Sequence, residues 1–125
     1  MLFRSDAGVG VISSGFGARD GRVHAGIDIA APLGTAIHAA AGGQVLYAGD
    51  GMHGYGNVIL VQHGDGFLTV YAHNEENLVR AGDRVEKGQI IGRVGETGNA
   101  SGPHLHFELR FADAPVSPLH YVETR

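Results

Sequence analysis

Glycine divides this sequence into short apolar runs, and that pattern constrains the fold more than any other feature. The chain has 125 residues and 21 glycines, many of them between runs of valine, isoleucine, leucine and phenylalanine. Because glycine adopts the positive φ angles of tight turns, this spacing is typical of many strands joined by short turns. A chain of this length corresponds to one domain that can bury a core without disulfides.

Alternating apolar and polar residues predict strands with one buried face. Asp65 and Gly66 lie between two such runs and predict a two-residue hairpin turn, because both tolerate positive φ. No window predicts a long helix, although 74–78 is expected to form one short helical turn. We therefore predict a mostly β, antiparallel domain without internal repeats. The predicted strands are 45–49, 58–62, 67–72, 89–94 and 105–111.

Composition excludes several functions. The net charge is -4 and lysine occurs once, so the chain lacks the clustered basic residues of a nucleic-acid-binding protein. No apolar run approaches the ~18 residues of a membrane span. Residues 1–10 lack the apolar segment of a signal peptide. The absence of cysteine excludes disulfides and thiolate metal sites.

The segment 104–111 contains the strongest chemical signal. Alternate residues of a strand share a face, so its leucines and phenylalanines should enter the core. The opposite face then carries His104, His106, Glu108 and Arg110. Two imidazoles two residues apart on one face are spaced to serve a single site.

A second signal is the imidazole–carboxylate pair His24 and Asp28. Both side chains are acceptable zinc ligands. An extended strand would hold their Cα atoms ~13 Å apart, which is too far for one ion. Gly26, midway between them, could permit the chain to bend.

His73 is a further candidate at the end of the run 67–73. Alternation predicts that Leu68, Val70 and Ala72 face the core and that His73 points the other way.

These residues satisfy the needs of a catalytic zinc site, which takes three protein ligands and leaves one position open. His24, Asp28 and one of His104 and His106 would supply the ligands. The remaining histidine of that pair and His73 could act as the base and stabilise the oxyanion. No HExxH sequence is present, so a glutamate base on a helix is excluded.

The sequence resembles the LytM/lysostaphin-type zinc metallopeptidases, which cut peptidoglycan crosslinks. The resemblance extends from about Gly15 to Tyr121, and HxxxD followed by HxH is a specific signature. The matching blocks are HAGIDIAAP at 24–32, GYGNVILVQHGDGF at 54–67, YAH at 71–73, VRAGDRVEKGQIIGRVGETG at 79–98 and GPHLHFELR at 102–110.

The resemblance implies His24, Asp28 and His106 as Zn²⁺ ligands and His73 and His104 as catalytic residues. It also implies a compact two-layer antiparallel β-sheet domain with the zinc in a groove on one sheet. The expected domain covers 15–121, between an N-terminal extension (1–14) and a C-terminal tail (122–125).

We expect from this resemblance a zinc endopeptidase that hydrolyses peptidoglycan peptide crosslinks, preferably the D,D-crosslink. Two alternatives remain: a glycyl-glycine endopeptidase, and an activator that binds a cell-wall amidase. All five positions carry the required residue types, which favours an enzyme. The expected partners are stem peptides, crosslinks and other domains or regulators of a parent protein. The expected location is periplasmic or extracellular.

Other polar residues receive weaker predictions. His63 precedes the predicted hairpin and is expected to be structural. His53 lies in a loop that could line the groove. Asn57 is expected to be structural or a neighbour of the groove. Asn74 departs from the leucine that is frequent in the family.

Overall fold

The computed structural model describes residues 11–14, 17–19, 22–24, 26–98, 100, 102–112 and 114–117, with side chains described from residue 26 onward. No helix occurs in these ranges, and so none that could cross a membrane. The strands are β1 (Val11–Ser14), β2 (Gly17–Arg19), β3 (Arg22–His24), β4 (Ile27–Ala30), β5 (Ala36–His38), β6 (Gly43–Gly49), β7 (Asn57–Gly64), β8 (Phe67–Asn77), β9 (Arg84–Val85), β10 (Ile90–Val94), β11 (His104–Phe111) and β12 (Ala114–Val116).

The strands form an open antiparallel sheet in the order β1-β4-β11-β8-β7-β6-β9. The long strand β8 joins two parts of it: its first half pairs with β7 and β11, and its second half pairs with β10, which in turn pairs with β5. Strands β2 and β3 form a separate hairpin. The predicted mostly β, antiparallel fold is confirmed. Strand β1 lies within the segment predicted as an N-terminal extension and pairs with β4.

The main core lies on one face of this sheet. Leu105, Phe107 and Leu109 of β11 are fully buried there, as alternation predicts, and they pack with residues of β5 and β10. Tyr71 also lies in this core, where its ring contacts Phe107 at a centroid distance of 5.4 Å. The hydroxyl of Tyr71 accepts a hydrogen bond from the Ala40 amide at 2.9 Å, so its one polar atom is satisfied. Burial raises the pKa of Tyr71 to about 12.

Two local predictions are tested by the backbone. Asp65 and Gly66 form the turn between β7 and β8 with φ angles of 53° and 85°, so the hairpin is confirmed. The predicted helical turn at 74–78 is wrong. Residues 74–77 continue strand β8 because their backbone pairs with β10, and tertiary pairing outweighs the weak local preference of this polar segment.

The prediction of which face of β8 enters the core is also wrong. Tyr71 lies opposite Phe107 in the core, while Val70 and Ala72 lie opposite Glu108 and His106 on the other face. The alternation of β8 was ambiguous because residues on both of its faces are buried. Val70 and Ala72 belong to a second, smaller apolar cluster beside the polar residues of β11.

Candidate functional site

Cross-strand pairing brings two of the three predicted ligands together. Asp28 on β4 lies directly opposite His106 on β11. The Nδ1–H of His106 donates to Oδ1 of Asp28 at 2.8 Å. The Nε2 atom of His104 lies 3.7 Å from the same carboxylate oxygen. An imidazole and a carboxylate that are 78 residues apart therefore face each other at the polar face of the sheet.

Gly26 lies immediately before β4, where it allows the backbone to pass close to β11. It is buried, and a Cβ atom at this position would overlap the backbone oxygen of Phe107. The sequence suggested that Gly26 allows a bend, and the structure shows a close backbone contact there. A larger residue would push β4, and Asp28 with it, away from His106.

His73 reaches the same face through an unusual backbone conformation. Its φ angle is 67°, which is uncommon for a residue other than glycine. Simple alternation after Tyr71 would direct residue 73 into the core, but the rings of His73 and His104 lie 5.0 Å apart. The structure therefore brings His73 next to His104, although the prediction that it points away from the core relied on a wrong reading of the strand faces. Backbone strain of this kind concentrates at functional sites.

A clamp of hydrogen bonds holds His73 in this conformation. Its amide donates to the carbonyl of Tyr55 at 2.9 Å, and its Nδ1–H donates to the carbonyl of Thr97 at 2.7 Å. The Thr97 hydroxyl donates to the carbonyl of Asn74 at 2.8 Å, and Asn57 Nδ2 donates to that same carbonyl at 3.0 Å. Because its backbone amide donates to the Thr97 hydroxyl at 3.0 Å, Asn57 links the loop at 97 to β8, in keeping with its predicted structural role.

The two predicted catalytic histidines both bind a backbone carbonyl through Nδ1 and leave Nε2 for other contacts. The Nδ1–H of His104 donates to the carbonyl of Gly102 at 2.9 Å, as that of His73 does to Thr97. Because Nδ1 carries the proton in a ring that donates this bond, Nε2 is the nitrogen that can accept a proton. The pair is thus suited to general-base or hydrogen-bonding roles.

Three residues near the site received no role from the sequence: Tyr55, Glu108 and Arg110. Glu108 is completely buried on the polar face of β11. Its Oε2 accepts hydrogen bonds from Tyr55 at 2.6 Å and from His106 Nε2 at 2.8 Å. Its Oε1 accepts from Nε of Arg110 at 2.8 Å. The two-residue spacing of His106, Glu108 and Arg110 was the available signal, but only the fold brings Tyr55 to them.

The surroundings of these groups shift their pKa values. Burial lowers the pKa of His106, but hydrogen bonds and charge from Asp28 and Glu108 outweigh it and raise the pKa to about 9. Burial would raise the pKa of Glu108, but hydrogen bonds from His106, Tyr55 and Arg110 bring it below its usual range. Burial lowers the pKa of His73, and the neighbouring His104 and His106 lower it further. Burial and the neighbouring rings thus favour the neutral form of His73, whereas the two carboxylates favour the protonated form of His106.

The site residues can be tested for their fit to zinc. Asp28 and His106 place a carboxylate oxygen and an imidazole nitrogen 2.8 Å apart, and once Nδ1 of His106 gives up its proton both atoms are ligands of the kind that zinc prefers. Among the side chains that the structure describes, no three form a metal-holding group. The predicted third ligand, His24, lies on β3, and its side chain is outside the described residues. The described part of the site fits two ligands of a zinc ion.

The sequence also led to predictions for two further histidines, His63 and His53. His63 contacts the carbonyl of Gly42 through Nδ1 and the hydroxyl of Thr69 through Nε2, each at 2.7 Å, which fits a structural role. Burial lowers its pKa. His53 is exposed in the turn before Tyr55, and the position of its loop along the groove remains a prediction.

Comparison with known proteins gives the family. The sequence profile of peptidase family M23 matches residues 22–118, which include every predicted ligand and catalytic residue. The chain belongs to peptidase family M23. This family assignment agrees with the resemblance to LytM-type peptidases.

Solved structures of M23 proteins share this fold. A zinc-containing peptidase from Vibrio cholerae is 32% identical, with a TM-score of 0.86 over 95% of this chain and 40% of that one. The catalytic domain of lysostaphin from Staphylococcus simulans is 33% identical, with a TM-score of 0.76 over 91% of this chain and 87% of that one.

A curated relative carries a different description. The murein hydrolase activator NlpD of Escherichia coli (strain K12) is 46% identical over 116 residues, which are 93% of this chain. The chain spans 30% of the length of that relative. The description of this relative names murein, the polymer of the bacterial cell wall.

Proposed function

We propose that this M23 domain is a zinc-dependent endopeptidase that hydrolyses peptide crosslinks of peptidoglycan. The observation that carries the proposal is the convergence of Asp28, His73, His104 and His106 on one face of the sheet. His24, Asp28 and His106 would hold the ion. Zinc in such a site supplies a Lewis acid and lowers the pKa of water toward neutrality.

The two other histidines would handle the proton and the developing charge. The Nε2 atoms of His73 and His104 are the proton-accepting nitrogens, since both Nδ1 atoms bind backbone carbonyls. One of them, in its neutral form, would take a proton from the attacking water, and the other, with Nε2 also protonated, would donate a hydrogen bond to the carbonyl oxygen of the scissile bond. Carbonyl contacts fix both rings, so little reorganisation would be needed during the reaction.

We expect the D,D-crosslink between the stem peptides of neighbouring strands to be the bond that is cleaved. The one aromatic residue of the 51–56 loop, Tyr55, turns inward to Glu108, so it does not narrow the approach to the histidines. Purified crosslinked muropeptide dimers should be converted to monomers, while a pentaglycine peptide should remain largely intact. Chromatography with mass spectrometry distinguishes these products. Cleavage of pentaglycine without cleavage of dimers would instead indicate a glycyl-glycine endopeptidase.

The second candidate function is activation of a cell-wall amidase, and the description of the relative at 46% identity favours it over hydrolysis. An activator acts through its surface and needs no catalytic histidine. The domain should therefore be added to peptidoglycan with and without a purified amidase. Amidase stimulation that is equal for the wild-type protein and His104→Ala, with no crosslink cleavage by the domain alone, would establish activation and remove the endopeptidase proposal.

The pH dependence of hydrolysis provides another test. His73 can accept a proton only when neutral, and its pKa is lowered from 6.5 by burial and then by its histidine neighbours. A base with a lowered pKa remains neutral, and so active, at any pH above that pKa. The rate should therefore be unchanged at pH 6.5 and fall only in more acidic solution. The zinc content must be measured at each pH, because ligand protonation also releases metal. A rate already half lost above pH 6.5, with zinc still bound, would contradict a base in this environment.

We propose a periplasmic or extracellular location, since peptidoglycan is the expected substrate. Other domains or regulators of a parent protein would then control access to the cell wall.

A further inference from the structure

Glu108 is the one acidic side chain on the polar face of β11, and its position is unusual. It is completely buried, yet its carboxyl group is surrounded by hydrogen-bond donors and lies beside a predicted metal ligand. Burial of a charge is unfavourable unless hydrogen bonds and an opposite charge compensate it. Four donor atoms supply that compensation here: Tyr55 Oη at 2.6 Å, His106 Nε2 at 2.8 Å, Arg110 Nε at 2.8 Å and Arg110 Nη2 at 2.6 Å.

The contacts of Glu108 divide between its two oxygens. Arg110 binds Oε1 through two nitrogens, whereas Tyr55 and His106 both bind Oε2. The contacts with Arg110 and Tyr55 thus fix the orientation of the carboxylate relative to the imidazole of His106. The ring of Tyr55 also packs edge-on against His106, at a centroid distance of 6.1 Å and an angle of 84°.

We infer that Glu108 is a positioning residue that holds Nε2–H of His106 and so directs Nδ1 toward Asp28 and the metal. The expected effect on zinc binding rests on the proposed zinc-dependent function. The hydrogen bond between Glu108 and His106 is observed independently of that function. An imidazole that donates one N–H to a carboxylate presents its other nitrogen as a ligand in a fixed direction. Tyr55 and Arg110 would act indirectly, by orienting the carboxylate of Glu108.

The donor pattern explains why a carboxylate is needed. All four partner atoms donate, and a carboxylate only accepts. A glutamine at 108 has a single acceptor oxygen, so its NH₂ group would face either Arg110 or the pair of Tyr55 and His106. Glu108→Gln therefore keeps the shape of the side chain but breaks half of the network.

The test measures zinc affinity by competition with a chromophoric chelator, with zinc alone as the probe. Glu108→Gln should weaken zinc binding by ~10–100-fold, as expected when the carboxylate partner of a histidine ligand is lost. Tyr55→Phe removes a single hydrogen bond to Oε2 and should weaken binding less. Glu76→Gln is the matched control, because Glu76 is exposed on β8 and should leave the affinity unchanged.

A second readout separates positioning from general structural support. In ¹⁵N-labelled wild-type protein, the Nε2 proton of His106 should give a downfield, slowly exchanging NMR signal both with and without zinc. That signal should shift or vanish in Glu108→Gln, while the ring signals of His63 stay unchanged. Unfolding temperatures of the metal-free variants show whether any loss of affinity reflects a loss of fold.

Wild-type zinc affinity and an unchanged Nε2 proton signal in folded Glu108→Gln would overturn the inference. Should Glu108→Gln fail to fold, Tyr55→Phe provides the same comparison, and an unchanged affinity and signal there would also overturn it. If the wild-type protein binds no zinc, the proposed function fails, whereas the signal in the metal-free protein still tests the contact between His106 and Glu108.

Discussion

Replacement of His106 by alanine is expected to remove most of the zinc from this protein. Wild-type protein should contain about one zinc ion per chain by elemental analysis, because the proposed ligands His24, Asp28 and His106 would form a three-ligand set with one open position. Alanine supplies no donor atom, and two remaining ligands hold the ion poorly. Asp28→Asn should also lower the zinc content, since it replaces an anionic ligand by a neutral amide.

The control for this prediction is His53→Ala, which removes an exposed histidine from the turn before Tyr55. Its zinc content should equal that of the wild-type protein. Circular dichroism must show that His106→Ala keeps its β structure, because the substitution also removes one donor from the buried Glu108. A folded His106→Ala protein with a full complement of zinc would show that the ligand assignment is wrong.

Loss of either His104 or His73 is expected to spare zinc and to reduce turnover by ~10²–10⁴-fold, the usual effect of losing a catalytic acid–base or oxyanion-binding group. His104→Ala tests the first position directly. For the second position, His73→Asn is the better variant, since asparagine tolerates the φ angle of 67° that alanine adopts only with strain. Initial rates on crosslinked muropeptide dimers, alongside zinc analysis, separate chemistry from metal binding.

The double variant adds a check on this assignment. If His73 and His104 act on one transition state, their combined effect should be smaller than the product of the single effects. Glu76→Gln, which changes an exposed residue of β8, serves as the control and should retain the wild-type rate. Near-normal turnover by zinc-loaded His104→Ala would end its catalytic role, and the same outcome for His73→Asn would end that of His73.

The five candidate residues were predicted from the spacing of histidine and aspartate in the sequence, and the resemblance to the family then assigned their roles. On β11 a strict alternation of apolar and polar residues fixed both faces, and His104 and His106 lie on the face that the alternation predicts. On β8 the same reasoning failed, because buried residues occupy both faces and the apolar side chains of Val70 and Ala72 line the site rather than the main core. Alternation identifies faces only where one face is polar.

The short hairpin at Asp65 and Gly66 and the antiparallel fold followed from the sequence, since both depend on local turn chemistry and strand periodicity. Tertiary structure alone decided three features of the site. Pairing of β4 with β11 set Asp28 against His106, across 78 residues of chain. The clamp from Thr97 held His73 at positive φ and turned it from the core. Burial of Glu108 between Tyr55 and Arg110 turned an ordinary strand residue into a fixed acceptor for His106. Each of these three features depends on contacts between segments that are distant in the sequence. The local sequence pattern does not determine which distant residues come into contact.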